Sequence, residues 1–353
     1  SDNSQLFVRP SEDVRAVIDG ALRARAERKA LYAQMRDLPA ETTDGAEISL
    51  NVNAGLLIDV PHVIESGADG IGLYRTEIPF MVRSAMPDIT DQTRLYDRIF
   101  EQAEGRPVVF RTLDVGGDKL LPYWEDMTEE NPAMGWRSIR ITLDRPAVLV
   151  HQLRALIRAG HDRDLYVMFP MIAEVAEFDQ AKAVLDEQLK REAVRGFIPR
   201  KVEVGAMLEV PALIWQAPAL LQRVDFLSVG TNDLLQFMFA ADRGNPRIEG
   251  RYDTLSPSVF AFMRQLVTLC DQKDVRLTIC GEMAGRPLEA MALIGLGIKR
   301  LSMAPASVGP VKEMVRSMCK SEVESYILTI MDNPTRSLRS RLKAFAIDHG
   351  VKL

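Results

Sequence analysis

The sequence predicts a (β/α)8 TIM barrel with extra helices, preceded by a helical connector. Eight short β-type runs occur between residues 47 and 305, and helix-like sequence follows each run, which is the order that produces a parallel sheet. Eight such units in about 270 residues match the usual size of a closed barrel. The sequence has neither a G-x-G-x-x-G after an early strand nor a G-x-x-x-x-G-K-[ST], which disfavours open nucleotide-binding sheets.

Residues 1–40 are predicted to form the connector. Apolar residues recur at helical spacing from Val14 to Leu22, and Ser11 can cap the start of this helix. An Arg-rich outer face is most simply interpreted as a solvated surface. A turn cluster that ends at Gly45 then changes the pattern to β-type runs separated by long amphipathic stretches.

The barrel is expected over residues 41–335, followed by a C-terminal helical tail at 336–353. Its strands are predicted from short segments that are rich in Val, Ile, Leu and aromatic residues. The eight predicted strands are 47–52, 70–75, 107–114, 166–170, 202–210, 225–230, 276–281 and 300–305.

The composition is that of a globular protein with ample core, since 47% of the 353 residues are apolar and 26% are charged. A net charge of −5 argues against a non-specific nucleic-acid binder. No run of 18 apolar residues and no secretory signal is present, so we expect no membrane association and a cytoplasmic location. Three unevenly spaced cysteines favour a reducing compartment.

Cationic side chains occur at or after the carboxyl ends of predicted strands, the rim that carries the active site in barrel enzymes. Arg75 and Arg111 end strands, Arg243 follows the sixth strand, and Lys119 and Arg137 lie in the long segment after the third. Any one of them could be a surface or structural ion pair. Together they would require a strongly anionic ligand, because guanidinium forks bind carboxylates and phosphates and Lys adds a point charge.

Two carboxylates, Glu209 and Asp233, end the neighbouring fifth and sixth strands. With waters and substrate oxygens they would form an ordinary Mg²⁺ site, although salt bridges to nearby arginines are an equally good interpretation. A divalent metal, the cations and these two carboxylates would leave a local charge of about +5, which suits a phosphorylated carboxylate. Glycines at 114–119 and 228–234 could bring backbone N–H groups near a phosphate, or could simply form turns.

Cys280 ends the predicted seventh strand. A lone cysteine is most often a small buried hydrophobic residue. At a polar rim, however, a thiol with a pKa of about 8.5 is protonated at neutral pH. Cys280 could therefore act as a general acid that protonates a carbanion or an enolate.

Seven motifs between residues 70 and 286 resemble those of a known family. The sequence resembles the phosphoenolpyruvate-utilising enzymes, most closely the carboxyl-terminal half of enzyme I of the bacterial phosphotransferase system, and the similarity extends over nearly the whole chain. The segments GLYRTEIPFM and TLDVGGDKLLPYW are more similar to the nitrogen-related paralogue, which implies a role in nitrogen regulation. The motifs are GIGLYRTE, FRTLDVGGDK, NPAMGWRSIR, MLEVP, SVGTNDLLQF, ADRGNP and ICGEMAG.

The resemblance implies a role for each candidate residue. Glu209 and Asp233 would bind Mg²⁺, and Cys280 would protonate C3 of the enolate to give pyruvate. Magnesium and the cations would stabilise charge on the transferring phosphoryl group. The side chains expected to bind phosphoenolpyruvate are Arg75, Arg111, Lys119, Arg137, Asn232 and Arg243.

The sequence departs from enzyme I in one respect. Enzyme I passes its phosphoryl group through a histidine in a separate amino-terminal domain, within a T-S-H-type motif, and none of the four histidines here lies in such a motif. We therefore expect an upstream phosphohistidine domain that carries the acceptor. The resemblance also implies an HPr-like histidine phosphocarrier as the next acceptor, and a homodimer.

Two alternatives remain open. The chain could be a phosphoenolpyruvate-sensing regulatory or dimerisation module without turnover. It could also be the barrel domain of a pyruvate phosphate dikinase or a phosphoenolpyruvate synthase, whose related domains serve a nucleotide-using domain. The connector that runs directly into the barrel, and the EIPFM segment, favour enzyme I.

Overall fold

The structure, a computed structural model, describes residues 11–116, 121–123, 129–248 and 250–353. Eight parallel strands in this part of the chain form a closed barrel in chain order, with the eighth strand paired to the first. The predicted α/β barrel is confirmed. The strands are β1 Ser49–Ala54, β2 Ile71–Arg75, β3 Val108–Arg111, β4 Asp164–Phe169, β5 Lys201–Leu208, β6 Phe226–Val229, β7 Arg276–Ile279 and β8 Arg300–Met303.

Each predicted strand overlaps an observed one, and the largest difference is at β3. The prediction extended this strand to residue 114, but the strand ends at Arg111. The N–H of Leu113 donates a hydrogen bond to Gln152 Oε1, at 2.8 Å, and not to a neighbouring strand. The polar residues after Arg111 therefore belong to the rim and not to the barrel wall.

Helices surround the barrel, and most strands are followed by at least one. Short 3₁₀ helices lie at Leu57–Asp59, Pro132–Met134, Pro211–Gln216 and Glu282–Gly285. The α-helices of the described residues are α1 Glu12–Met35, α2 His62–Glu65, α3 Ile78–Met81, α4 Ile89–Gln102, α5 Ile139–Asp144, α6 Pro146–Ala159, α7 Val175–Ala193, α8 Ala217–Leu220, α9 Thr231–Met238, α10 Pro257–Lys273, α11 Pro287–Gly295, α12 Pro305–Ser317, α13 Lys320–Ile330 and α14 Arg339–Asp348.

The core has two main parts. A large cluster joins the outward-facing side chains of the strands to the surrounding helices. A small cluster fills the barrel interior, and its buried members are Leu73, Met168, Met207, Phe226 and Cys280. This division is expected for a barrel whose strands alternate inward and outward residues.

The connector α1 is attached to the barrel at its carboxyl end. Tyr32 packs so closely on α12 that a Cβ at Gly309 would lie 2.5 Å from its ring. Lys312, also in α12, donates from Nζ to the Arg36 carbonyl oxygen at 2.7 Å. The amino-terminal part of α1 has no such packing among the described residues, and the apolar side chains exposed there are Val17, Ile18 and Leu22.

The carboxyl-terminal helix α14 is fixed by charge. Arg339 donates to both carboxylate oxygens of Asp253, at 3.0 and 2.8 Å, and to Glu289 at 2.8 Å. These ion pairs join the last helix to α11 and to the segment before α10. In the described part of the chain, no helix is both long and apolar enough to span a membrane.

Candidate active site

A cavity of about 450 Å³ opens at the carboxyl ends of the strands. Arg137 borders a neighbouring cavity of about 700 Å³, which shares Asp233 and Arg243 with the first. Lys119 lies outside the described residues. The predicted site residues that line the first cavity are Arg75, Arg111, Glu209, Asn232, Asp233, Arg243 and Cys280.

Arg111, the last residue of β3, is buried between two carboxylates. Its Nη2 donates to Glu77 Oε1 at 2.6 Å and lies 3.0 Å from Asp114 Oδ2. Burial disfavours the guanidinium charge, but the charges of Glu77 and Asp114 outweigh burial and raise the pKa of Arg111. Arg111 is therefore a fixed cation whose direction is set by its partners.

Arg137, in the segment after β3, contacts the same carboxylate as Arg111, that of Asp114. Its Nη2 lies 3.0 Å from Asp114 Oδ1 and 3.5 Å from Asp233 Oδ2. Burial opposes its charge, and the two aspartates overcome this effect and raise the pKa of Arg137. Asp114 thus bridges two buried guanidinium groups, because Arg111 contacts its other oxygen.

Backbone geometry helps to direct Arg137. The next residue, Ser138, is fully buried with φ +59° and ψ −127°, a conformation that side-chain-bearing residues rarely adopt. Its N–H donates to the Val115 carbonyl oxygen at 2.7 Å, which ties this turn to the end of the β3 segment. The site therefore contains a strained residue held by its surroundings.

Arg75 and Arg243, in contrast, are exposed at the rim, where a ligand could reach them. Arg75 is the last residue of β2 and is the register partner of Arg111 on β3. Asn232, in the first turn of α9, exchanges hydrogen bonds with Glu282: its Oδ1 accepts from the Glu282 N–H at 3.1 Å. These residues offer donors around the cavity mouth.

Glu209 lies fully buried after β5. Its Oε1 accepts the N–H of Met171 at 2.7 Å, and a Cβ at residue 230 would come within 2.6 Å of its Oε2, so a side chain at Gly230 would displace the carboxylate. Burial raises the pKa of Glu209, and the nearby charges of Asp114 and Asp233 raise it further. The charge of Arg111 acts in the opposite direction but does not cancel these effects, so the ionised form of Glu209 is disfavoured without a further cation.

This donor set fits a magnesium ion. Mg²⁺ is usually held by one or two carboxylates plus water and substrate oxygens, and not by a complete protein cage. In the described residues, no group of three or more His, Cys, Asp or Glu side chains has the arrangement of a metal cage. Glu209 and Asp233 line one cavity, and a dication between them would relieve the repulsion that raises the Glu209 pKa.

Cys280 follows β7 at the floor of the cavity and also belongs to the interior core. Its Sγ lies 3.3 Å from the Val229 carbonyl oxygen, and its own carbonyl accepts from Asn53 Nδ2 at 2.9 Å. Burial raises the pKa of the thiol to about 11. Cys280 therefore holds its proton at neutral pH.

The sequence analysis missed part of this site. Glu77 pairs with Arg111, Asp114 bridges Arg111 and Arg137, and Arg286 pairs with Glu282 beside the cavity. These residues lie in the same strand-end segments as the predicted site residues, and this position is the feature of the sequence that could have identified them. The arginines that line the first cavity are Arg75, Arg111, Arg243 and Arg286, and the carboxylates that line it are Asp114, Glu209, Asp233 and Glu282.

The predicted local charge of about +5 included Lys119, which lies outside the described residues, and counted only two carboxylates. In the lining of the first cavity, four arginines face four carboxylates, so their formal charges cancel. A bound dication would supply the net positive charge that an anionic ligand requires.

Comparison with known proteins gives a consistent result. Residues 29–319 match the family model of the PEP-utilising enzyme, PEP-binding domain. The chain is 37% identical to the phosphoenolpyruvate-protein phosphotransferase of Priestia megaterium over 332 residues, 93% of this chain and 58% of that protein. It is 38% identical to the protein of that name from Haemophilus influenzae over 356 residues, 99% of this chain and 61% of that protein.

A third relative is the phosphoenolpyruvate-dependent phosphotransferase system protein of Escherichia coli K12. It is 41% identical over 291 residues, which cover 82% of this chain and 39% of that protein. The chain thus spans 39% to 61% of the length of these three relatives.

Proposed function

The chain belongs to the PEP-utilising enzymes, and from that membership we propose that it is the phosphoenolpyruvate-binding catalytic half of a phosphoenolpyruvate-protein phosphotransferase. The observation that carries this proposal is the meeting, in one cavity, of arginines, two carboxylates suited to Mg²⁺ and a protonated thiol. Each is a group that phosphoryl transfer from an enol phosphate would use.

In the proposed complex, the rim arginines bind the substrate. Arg75 and Arg243 are exposed and can close on its phosphate or carboxylate, whereas Arg111 is already fixed in the floor. Glu209 and Asp233 would hold Mg²⁺, which neutralises charge on the phosphate and on the enolate oxygen when bound. Arg137, Asn232 and Lys119 are proposed as further contacts of the substrate.

The reaction would break the bond between phosphorus and the enol oxygen and form a bond from phosphorus to an imidazole nitrogen. The electron pair left on the enolate passes to C3, which takes the proton of Cys280 to give pyruvate. The thiolate then regains a proton from solvent. Because burial raises the pKa of Cys280 to about 11, the thiol is a proton donor throughout the neutral range.

The finer parts of the proposal concern what lies beyond this site. The phosphoryl acceptor is proposed to be a histidine on an upstream domain, which residues 1–40 would connect to a barrel over 41–335 with a tail at 336–353. An HPr-like phosphocarrier would receive the phosphoryl group next, and the protein would act as a homodimer. The assignment to the nitrogen-related branch and the cytoplasmic location stay predictions.

The chain can be tested without the acceptor domain. With pyruvate and Mg²⁺ in D₂O, a competent site will remove and return a C3 proton, so NMR will show deuterium entering the methyl group. Calorimetry should show saturable, Mg²⁺-dependent binding of phosphoenolpyruvate. Binding with no exchange would contradict a catalytic half and support a sensor, and absence of both would contradict the site.

Addition of a histidine domain from a relative tests the transfer step. Phosphoenolpyruvate and Mg²⁺ should then yield pyruvate and a phosphorylated imidazole in equal amounts. If the histidine domain remains unmodified while methyl exchange is normal, the phosphotransferase assignment is wrong although the enolisation site is right.

A further inference from the structure

Arg111 is held at both of its ends by the neighbouring strand end. The hydroxyl of Thr76 donates to the Arg111 carbonyl oxygen at 2.8 Å, and the carboxylate of Glu77 accepts from the guanidinium at 2.6 Å. Both residues directly follow Arg75, which is the register partner of Arg111. One three-residue segment therefore sets the position of two cations relative to each other.

A buried glutamine on α6 extends this arrangement. Gln152 donates from Nε2 to Thr76 Oγ1 at 2.9 Å and to the Tyr96 hydroxyl at 3.2 Å. Its Oε1 accepts the N–H of Leu113 at 2.8 Å. Gln152 thus crosslinks the segments that follow β2 and β3, and it is fully buried.

We propose that Glu77 and Gln152 are positioning residues, which act through Arg111 to aim its guanidinium at the reacting anion. The proposal rests on the proposed function of the cavity. Glu77 sets the direction of the charged end, and Gln152 fixes the two strand ends between which Arg111 lies. Neither lines the cavity, so neither touches the substrate.

The electrostatics explain why such control is required. Arg111 lies between Glu77 and Asp114, and each carboxylate attracts it. Without Glu77, the guanidinium would turn towards Asp114, its other close partner, and Asp114 already bonds Arg137. A misplacement of about 1 Å in a charged group can reduce a rate about 100-fold although binding is retained.

The expected signature is a separation of rate from binding. Glu77→Leu should lower kcat for pyruvate methyl exchange by about 100-fold and change KM by less than about 3-fold, because the exposed arginines still hold the anion. Glu77→Gln retains an acceptor oxygen of the same reach, so it should restore kcat to within about 10-fold of wild type. Equal kcat values for wild type and Glu77→Leu would overturn the proposal, as would a loss confined to KM.

Gln152 provides an independent test if Glu77→Leu does not fold. Gln152→Met conserves volume and removes all three hydrogen bonds, so it should lower kcat about 10-fold with KM unchanged. Gln188→Met is the matched control, since Gln188 is also buried, on the adjacent α7, with a side-chain oxygen that makes no hydrogen bond. Equal kcat values for the Gln152 and Gln188 variants would refute the role of Gln152.

Failure of this inference differs from failure of the proposed function. Wild-type protein that neither exchanges the pyruvate methyl group nor binds phosphoenolpyruvate would contradict the proposed function. Wild-type exchange that the Glu77 and Gln152 variants retain in full would contradict only the positioning roles. Thermal melting of every variant identifies those that are unfolded.

Discussion

Two buried glutamates in this molecule have opposite environments. Glu192, on α7, is fully buried and accepts hydrogen bonds from Arg154 at 2.7 Å, Arg158 at 2.7 Å and Arg195 at 3.0 Å. Burial alone would raise its pKa, but the hydrogen bonds from Arg158 and Arg154 lower it. At Glu209, burial and two neighbouring carboxylates together raise the pKa.

Both glutamates are buried, so burial does not distinguish them. The charges of the neighbouring side chains do, because arginines surround Glu192 and carboxylates lie near Glu209. Glu192 is surrounded by cations of its own chain and needs nothing further. Glu209 shares its cavity with other carboxylates, which is unfavourable unless a ligand brings positive charge. The first arrangement stabilises the fold, whereas the second is the one that we propose as a metal site.

The strongest test of this comparison is Glu209→Gln. Removal of a proposed metal ligand should reduce Mg²⁺-dependent methyl exchange by about 10³-fold, since stabilisation of developing charge is lost. The melting temperature should not fall, because glutamine keeps an acceptor for the Met171 N–H and replaces a carboxyl whose ionised form is disfavoured by burial and by its acidic neighbours. If Glu209→Gln instead lowered the melting temperature and left the rate of methyl exchange unchanged, Glu209 would be a structural charge and the proposed roles of the two glutamates would be contradicted.

A second test uses the thiol beside Glu209. Cys280→Ala should lower methyl exchange by at least about 100-fold, the range for loss of a general acid. In the exchange reaction the thiolate of Cys280 removes the C3 proton. Because burial raises the thiol pKa to about 11, the exchange rate should rise by about tenfold per pH unit from pH 6 to 9 without levelling off. A rate that levels off above a midpoint of about 8.5, measured by NMR across this range, would show that burial does not raise the thiol pKa.

The third test addresses the structural member of the comparison. Glu192→Gln should lower the free energy of unfolding by about 2 kcal/mol, because three arginines lose their common acceptor charge. Methyl exchange should be unchanged. Since the pKa of Glu192 is lowered, its contribution is complete above its ordinary pKa of about 4.5 and is lost as pH falls through the lowered value. Urea titrations should therefore show that the difference in the free energy of unfolding between wild type and Glu192→Gln becomes smaller at acid pH.

The smallest effect is expected at Ser138, beside Arg137. Glycine adopts φ +59° and ψ −127° without the steric cost that serine carries, so Ser138→Gly should stabilise the protein by about 1 kcal/mol. Thermal unfolding measures this change. A loss of stability would show that the buried serine side chain contributes more than its backbone strain costs.

Much of the fold and part of the site could be predicted from the sequence. Alternation of β-type and helical segments identified all eight strands, because hydrophobic periodicity is a local property. Residues such as Arg75 and Glu209 were candidates because they end strands, and parallel strands in a barrel end at one rim. The roles of these residues remain proposals.

Other features depend on contacts between distant segments. Gln152 lies within an amphipathic helix and belongs to no motif. Its side chain nevertheless hydrogen-bonds with Leu113, which is 39 positions away in the chain, and with Thr76, which is 76 positions away. Apolar residues recur at helical spacing in α1, but this pattern does not show whether another surface covers them, and Val17 and Leu22 are exposed in this chain. No periodicity reveals which surface covers a helix or which backbone group a buried amide meets.

The sequence by itself therefore determined the barrel, the order of its strands and the residue types at its rim, because these follow from local pattern and chain direction. Only the tertiary structure decided the charge balance of the site. Glu77 and Asp114 become partners of Arg111 and Arg137 when distant segments of the chain converge at the rim, and a pKa depends on distance and burial. Composition counts such charges but does not state which of them meet.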